Sequence, residues 1–278
     1  MSRHRYLKDK LFMVMVFLFA LAGVAPLFAI ISAIVVNGVK TLFLVGPSFF
    51  FGLPSSPLSN NPGGIGPALE GSLILMFLSL IIGYPLAFMT AVLAVEFPES
   101  LLGRFIDVLV KSMLEIPTIL IGILVYTLVV IPTGSFSAWA GAIALAIVIL
   151  PYVYTHIENA LRNIPMDIRL ASYSLGLSKA KSVFYVFTSE ARRGLLTAVL
   201  IGLARASGET APLLFTIGGN WFTYFQGLSK PIGAIPLLIY TYTLTPYTNY
   251  HEAAWGASFV LLIIYLCSFI AFRGFSRL

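Results

Sequence analysis

Arg205 and Glu209 stand four residues apart in the run Leu203-Ala204-Arg205-Ala206-Ser207-Gly208-Glu209-Thr210-Ala211-Pro212-Leu213-Leu214-Phe215-Thr216, inside an otherwise apolar segment from about Leu195 to Ile217. On a helix that offset is one turn, so the two side chains can face each other. A guanidinium keeps its proton and can grip two oxygens of an anion at once. The carboxylate balances that charge when no anion is present, and it can accept a hydrogen bond from a protonated oxyanion. Each charge at mid-membrane costs about 2.5–3.5 kcal/mol on insertion scales, so such a pair lines a polar path or a buried contact. Arg205 lies twelve residues beyond Arg193, about 18 Å along a helix and past the middle of a hydrocarbon core about 30 Å thick. Reversible anion binding is one reading. A purely structural ion pair between membrane subunits is the other, and spacing alone leaves both open.

No other residue set offers chemistry. There is no HExxH, and His156-Ile157-Glu158 has the wrong spacing; there is no GxSxG elbow and no paired carboxylates with a base nearby. His4, His156 and His251 are scattered and Cys267 is the single cysteine, so neither a metal site nor a disulfide is expected. GxxxxGK[ST] is absent, and Gly63-Gly64-Ile65-Gly66 follows no strand, so any use of ATP needs a separate subunit. We expect no cofactor and no enzymatic activity in this chain.

The elements that must position the pair are membrane helices. Of 278 residues, 59% are hydrophobic and only 10% charged, with mean hydropathy +0.95; soluble domains carry about 25% charged residues. Apolar runs near Leu11–Val36, Pro67–Val95, Ser112–Ile131, Ala138–Tyr154, Leu195–Gly218 and Ala253–Phe272 predict six transmembrane helices in an all-α integral membrane protein. Of the 17 Lys and Arg residues, Arg3, Arg5, Lys8, Lys10, Arg104, Lys111, Arg162, Arg169, Lys179, Lys181, Arg192, Arg193, Arg273 and Arg277 fall on one side. Only Lys40 and Lys230 fall on the other. The positive-inside rule then makes both termini cytoplasmic in a cell (plasma or inner) membrane. The net charge of +6 reflects that asymmetry and calls for no nucleic acid.

Between spans, the outer loop from Asn37 to Gly66 has turn chemistry, and Ile235-Pro236-Leu237-Leu238-Ile239-Tyr240 reads as a short interfacial helix. Arg104, Asp107, Lys111 and Glu115 recur along one helix face, read as the solvated face of an interfacial helix or, alternatively, as a contact for a cytoplasmic partner. The inner segment 158–193 is the polar exception. Asn163 to Lys181 reads as two short helices broken at Gly176, with Pro165 starting the first and Asp167 near its N-terminus. Leu170, Ala171, Ser174 and Leu175 form a narrow apolar stripe suited to another protein's groove or to the membrane surface.

This inner segment resembles the cytoplasmic loop of type I ABC-importer permeases, whose Glu-Ala-Ala falls on Leu170-Ala171-Ser172 and whose Gly falls on Gly176. The family's Glu is replaced by Leu170, and its later Leu-Pro by Thr188-Ser189. The run from Arg205 to Thr216 is similar to the signature of phosphate-importer permeases, Arg-Ala-x-Gly-Glu-Thr-Ala-Pro-Leu-Leu-Phe-Thr. Gly64 to Leu73, Ile116-Pro117-Thr118-Ile119, Ile235 to Tyr240 and Ala253-Ala254-Trp255-Gly256-Ala257 extend the resemblance from about residue 62 to 272. It is nearest to the PstA-type subunit.

The resemblance implies a MetI-like fold, with residues 1–61 as an N-terminal helix and outer loop and 62–278 as the permease domain. It implies a substrate path at Arg205, Glu209 and Thr210, with a helix bend at Gly208 and Pro212. ATPase coupling would fall on Asp167, Arg169, Leu170, Ala171, Ser172, Gly176 and Lys179. The implied partners are a second, PstC-like permease, a PstB-like ATPase dimer, a PstS-like extracytoplasmic phosphate-binding protein, and phosphate itself. The rival readings are the same fold carrying sulfate or molybdate, and a non-transporting membrane scaffold.

Overall fold

The structure, a computed structural model, describes the backbone of residues 3–275 and the side chains of residues 7–270. His4, Arg3, Arg5, Arg273 and Arg277 therefore lie outside the described side chains. Helices and turns account for the described elements. Among the described residues, four helices are long and apolar enough to cross a membrane: α1 (Arg3–Val45), α2 (Gly66–Glu96), α5 (Ala138–Arg162) and α10 (Thr248–Phe275). Between α2 and α5 lie α3 (Leu101–Ser112) and α4 (Thr118–Val125).

The expected third span is not one straight helix. The segments Leu101–Glu115 and Thr118–Thr133 meet at 105°. Pro117 disfavours helical backbone at the residue before it, and Ile116 is indeed extended, with ψ 121°. The second segment continues through a π-helical turn, Tyr126–Val130, to a glycine stop at Gly134.

The expected fifth span is broken as well. Helix α7 (Arg192–Ser207) has 16 residues, about 24 Å of rise and short of a full hydrocarbon core. Gly208 to Thr210 separate it from α8 (Ala211–Leu214), which carries Pro212 in its first turn, where the missing N–H costs nothing. The first span is longer than expected: α1 runs on to Val45, so residues 37–45 are helix rather than loop. Thr41 Oγ1 donates to the Glu252 carbonyl at 3.0 Å and fastens α1 to α10.

Helix α9 (Ile235–Thr243) forms where a short helix was expected, and it packs against the rest of the protein. Ile235, Pro236, Leu237, Leu238 and Tyr242 are buried, and the Ile235 N–H donates to the buried Ser72 Oγ at 2.8 Å. The main core joins α2 and α5 through Leu75, Ala87, Ala91, Leu145, Ile149, Val153 and Ile157. Small residues on α2 let the two helices approach closely, the usual device for packing helices in lipid.

The charged face of α3 is not simply solvated. Arg104 pairs with the exposed Glu99. Asp107, however, accepts the Tyr154 hydroxyl at 2.7 Å, and Lys111 reaches both Asp107 at 2.6 Å and the buried Glu158 at 3.0 Å. These bonds hold α3 against the C-terminal half of α5.

Candidate functional site

Arg205 sits in the last turn of α7 and Glu209 just beyond its end. The helix stops there because Gly208 gives it no reason to continue and Pro212 begins the next one. The bend expected at Gly208 and Pro212 is thus a full break. Gly208 also makes room for a neighbour, since an added Cβ would lie 2.5 Å from the Tyr265 hydroxyl and would displace it. That hydroxyl donates to the Ala204 carbonyl at 2.7 Å, taking up an acceptor freed by the break.

Across the break the pair persists. Arg205 Nη2 donates to Glu209 Oε1 at 2.8 Å; the carboxylate is 6% exposed and the arginine 37%. Arg205 Cζ lies 4.9 Å from the centroid of the Tyr152 ring on α5, a cation–π contact. Arg205 Nε is buried without a hydrogen-bond partner. Nε and Nη2 share one edge of the guanidinium, so Glu209 holds one nitrogen of that edge while the other has no hydrogen-bond partner within the chain.

Arg205 opens onto a cavity of about 310 Å³ lined also by Glu115, Ile116, Pro117, Thr118 and Tyr152. Its size is at the lower end of small-ligand sites. The cavity lies at the break in the third span, where Met113 to Thr118 line it together with Val148 and Tyr152 of α5. Gly122 then holds the half-helix close: a Cβ at that position would meet Pro212 Cα at 2.7 Å. Thr210 stands in the break between α7 and α8, half-buried. Sequence reasoning placed Glu115 on a solvated face and gave Tyr152 no role. Nothing in the local pattern around either residue distinguishes it.

The inner segment folds as expected into α6 (Met166–Ser174) and a second helical stretch from Lys179. Gly176 has φ +77°. Its N–H bonds to the Tyr173 carbonyl, and that of Leu177 to the Ser172 carbonyl, the Schellman arrangement that closes a helix with a left-handed glycine. Asp167, Leu170, Ala171 and Gly176 are exposed, and Met166, Leu170 and Leu175 present apolar surface.

Three other residues expected in coupling face the protein itself. Ser172 is buried, its hydroxyl bonded to the Arg169 carbonyl at 2.8 Å. Arg169 Nη1 pairs with Glu96 Oε1 at 2.5 Å, and Lys179 Nζ donates to the Glu96 carbonyl at 3.1 Å. Tyr173 Oη lies 3.5 Å from Glu96 Oε2; burial first, and the Glu96 charge second, push its hydroxyl above the ordinary phenol value. Glu96 closes an apolar run just before Phe97-Pro98, and that position was the one signal that could have marked it.

Residues 83–278 match the family described as binding-protein-dependent transport system inner membrane component. A Methanocaldococcus jannaschii protein described as a probable phosphate transport system permease protein PstA is 45% identical over 269 residues, 97% of this chain and 94% of its own length. The phosphate transport system permease protein PstA of Pasteurella multocida is 35% identical over 269 residues, 96% of this chain and 94% of its own. A chain of the MetNI methionine ABC transporter, solved in inward-facing conformations, superposes with a TM-score of 0.60 at 22% identity, over 77% of this chain and 93% of that one. That likeness bears on the fold alone and makes it the MetI-like type I ABC-importer permease fold. The chain is a multi-pass membrane protein that belongs to the family of binding-protein-dependent transport system inner membrane components and, within it, to the PstA-type permeases.

Proposed function

We propose that this chain is the permease subunit of an ATP-driven importer of inorganic phosphate, a transport subunit and not an enzyme. The observation that carries the reading is the one-toothed hold of Glu209 on Arg205. The buried Nε beside the occupied Nη2 has no hydrogen-bond partner within the chain, and a buried donor left unmet costs free energy. A tetrahedral oxyanion takes both donors of that edge, so it can displace the carboxylate and recover the cost. Released, Glu209 accepts a hydrogen bond from a protonated phosphate oxygen; sulfate, fully ionised near neutral pH, has no proton to give and meets repulsion. The relatives described as phosphate permeases favour the same cargo.

In this reading Arg205, Glu209 and Thr210 line the path, and the break at Gly208 and Pro212 keeps backbone out of it. Both termini are cytoplasmic, the two bent or broken segments complete six crossings, and residues 1–61 form an addition to the permease domain at 62–278. A second permease of PstC type faces the cavity, and an extracytoplasmic phosphate-binding protein of PstS type delivers the anion. A PstB-type ATPase pair meets Asp167, Leu170, Ala171 and Gly176 from inside.

The test is reconstitution of this chain with those partners in proteoliposomes. ATP-dependent uptake of labelled phosphate, resistant to excess sulfate and molybdate, is expected. Preferred uptake of sulfate or molybdate would transfer the reading to another oxyanion. Assembly without transport of any of the three would leave a scaffold.

A further inference from the structure

Two spanning helices end side by side at the inner face, α2 at Glu96 and α5 at Arg162. The last carbonyls of a helix lack intrahelical partners and carry partial negative charge, so cations gather there. Here both cations come from the inner segment. Arg169 Nη2 donates to the Leu161 carbonyl at 2.7 Å while Nη1 holds the Glu96 carboxylate. The guanidinium rests on the Phe187 ring at 4.7 Å. Lys179 caps the Glu96 carbonyl and lies 4.6 Å from the centroid of the Phe97 ring. The Glu96 side chain is 4% exposed and that of Arg169 is 14%.

We propose that Glu96, Arg169 and Lys179 form a clamp that joins α6 to the inner ends of α2 and α5, so that a displacement of α6 moves both spanning helices as one body. The inference rests on the reading of α6 as the surface an ATPase subunit acts upon. Chain connectivity alone ties α6 only to α5, through Asn163 to Pro165. Glu96 is 73 residues from Arg169, so the hold on α2 depends on these side chains. A buried carboxylate stripped of its partner is strongly disfavoured, which keeps the pair together under load. From the clamp, packed side chains run along α2 and α5 as far as Val153 and Ile149, on the same helix that places Tyr152 under the Arg205 guanidinium. Glu96, Arg169 and Lys179 are positioning residues: none touches the proposed path.

The measurement is phosphate taken up per ATP hydrolysed, in proteoliposomes holding the complete complex, with inorganic phosphate as the probe. Arg169→Met and Glu96→Gln should hydrolyse ATP within about twofold of the parent yet carry about tenfold less phosphate per ATP, while Arg169→Lys, which keeps the charge, retains most coupling. Lys179→Met, which leaves the buried pair intact, should show a smaller loss and serves if the other variants do not fold. An unchanged ratio in the variants that fold overturns the clamp, and so does loss of the ATPase subunits on purification, which would assign these residues to docking.

A second readout needs no transport. Amide hydrogen exchange in the last turns of α2 and α5 should rise together in Arg169→Met, or in Lys179→Met if that variant must stand in. Unchanged exchange at the end of α2 overturns the clamp whatever the cargo. A parent complex that carries no phosphate counts against the functional reading instead.

Discussion

The guanidinium of Arg205 lies over the ring of Tyr152, Cζ 4.9 Å from the centroid, so an arginine on one helix is seated against an aromatic face on another. The ring's electron-rich face stabilises the cation without competing for its N–H groups, and those donors remain for an anion.

Tyr152→Leu removes that seat. The cation–π contact is worth about 0.5–2 kcal/mol, so uptake at low phosphate should fall about twofold to thirtyfold. Tyr152→Phe keeps the ring and should stay near the parent. Initial rates of labelled phosphate uptake check both; equal rates for Leu and Phe would remove Tyr152 from the site.

Orientation is tested by thiol labelling. On a Cys267→Ser background, cysteines at Ser56 and Ser229 should react with an impermeant reagent from outside, and one at Ser178 should not. All three positions are exposed in the fold, so reactivity reports the side of the membrane rather than burial. The reverse pattern would turn the molecule over and move α6 away from the ATPase.

Gly176 has φ +77° with nothing within 4 Å of an added Cβ. Substitution there strains the backbone by about 1–2 kcal/mol without a clash. Gly176→Asn, which tolerates that conformation, should couple normally. Gly176→Leu should assemble yet waste ATP, read as hydrolysis without matching phosphate uptake. Normal transport by Gly176→Leu would remove this turn from coupling.

The helices were legible because the apolar runs around α2, α5 and α10 are long and charge-poor. The Gly176 turn was legible because the glycine directly follows a short helical pattern. Their interruptions were harder to see. Ile116-Pro117 and Gly208-Glu209-Thr210 lie within apolar stretches, and hydropathy averages over a break of two or three residues. The Arg205–Glu209 pair stood out from its cost in lipid alone. Its surroundings did not: Tyr152 and Glu115 come from segments whose approach depends on the 105° bend at Pro117. Arg169 and Lys179 read as ATPase-coupling residues because a list of residues does not show that two helix ends lie beneath them.

The pair itself gives the most direct measurement. Charge-assisted hydrogen bonds are worth about 1.5–3 kcal/mol each, so Arg205→Gln, which cannot grip two oxygens with a fixed charge, should lower uptake at least about a hundredfold. Glu209→Gln should transport phosphate poorly and lose its resistance to sulfate competition. Both complexes should purify with their partners intact. ATP-driven phosphate uptake by the two assembled variants, measured beside the parent in the same vesicles, decides the matter. Loss of uptake in Arg205→Gln with loss of sulfate discrimination in Glu209→Gln is the predicted result; near-parent phosphate rates in both would contradict the account and leave the pair a structural contact.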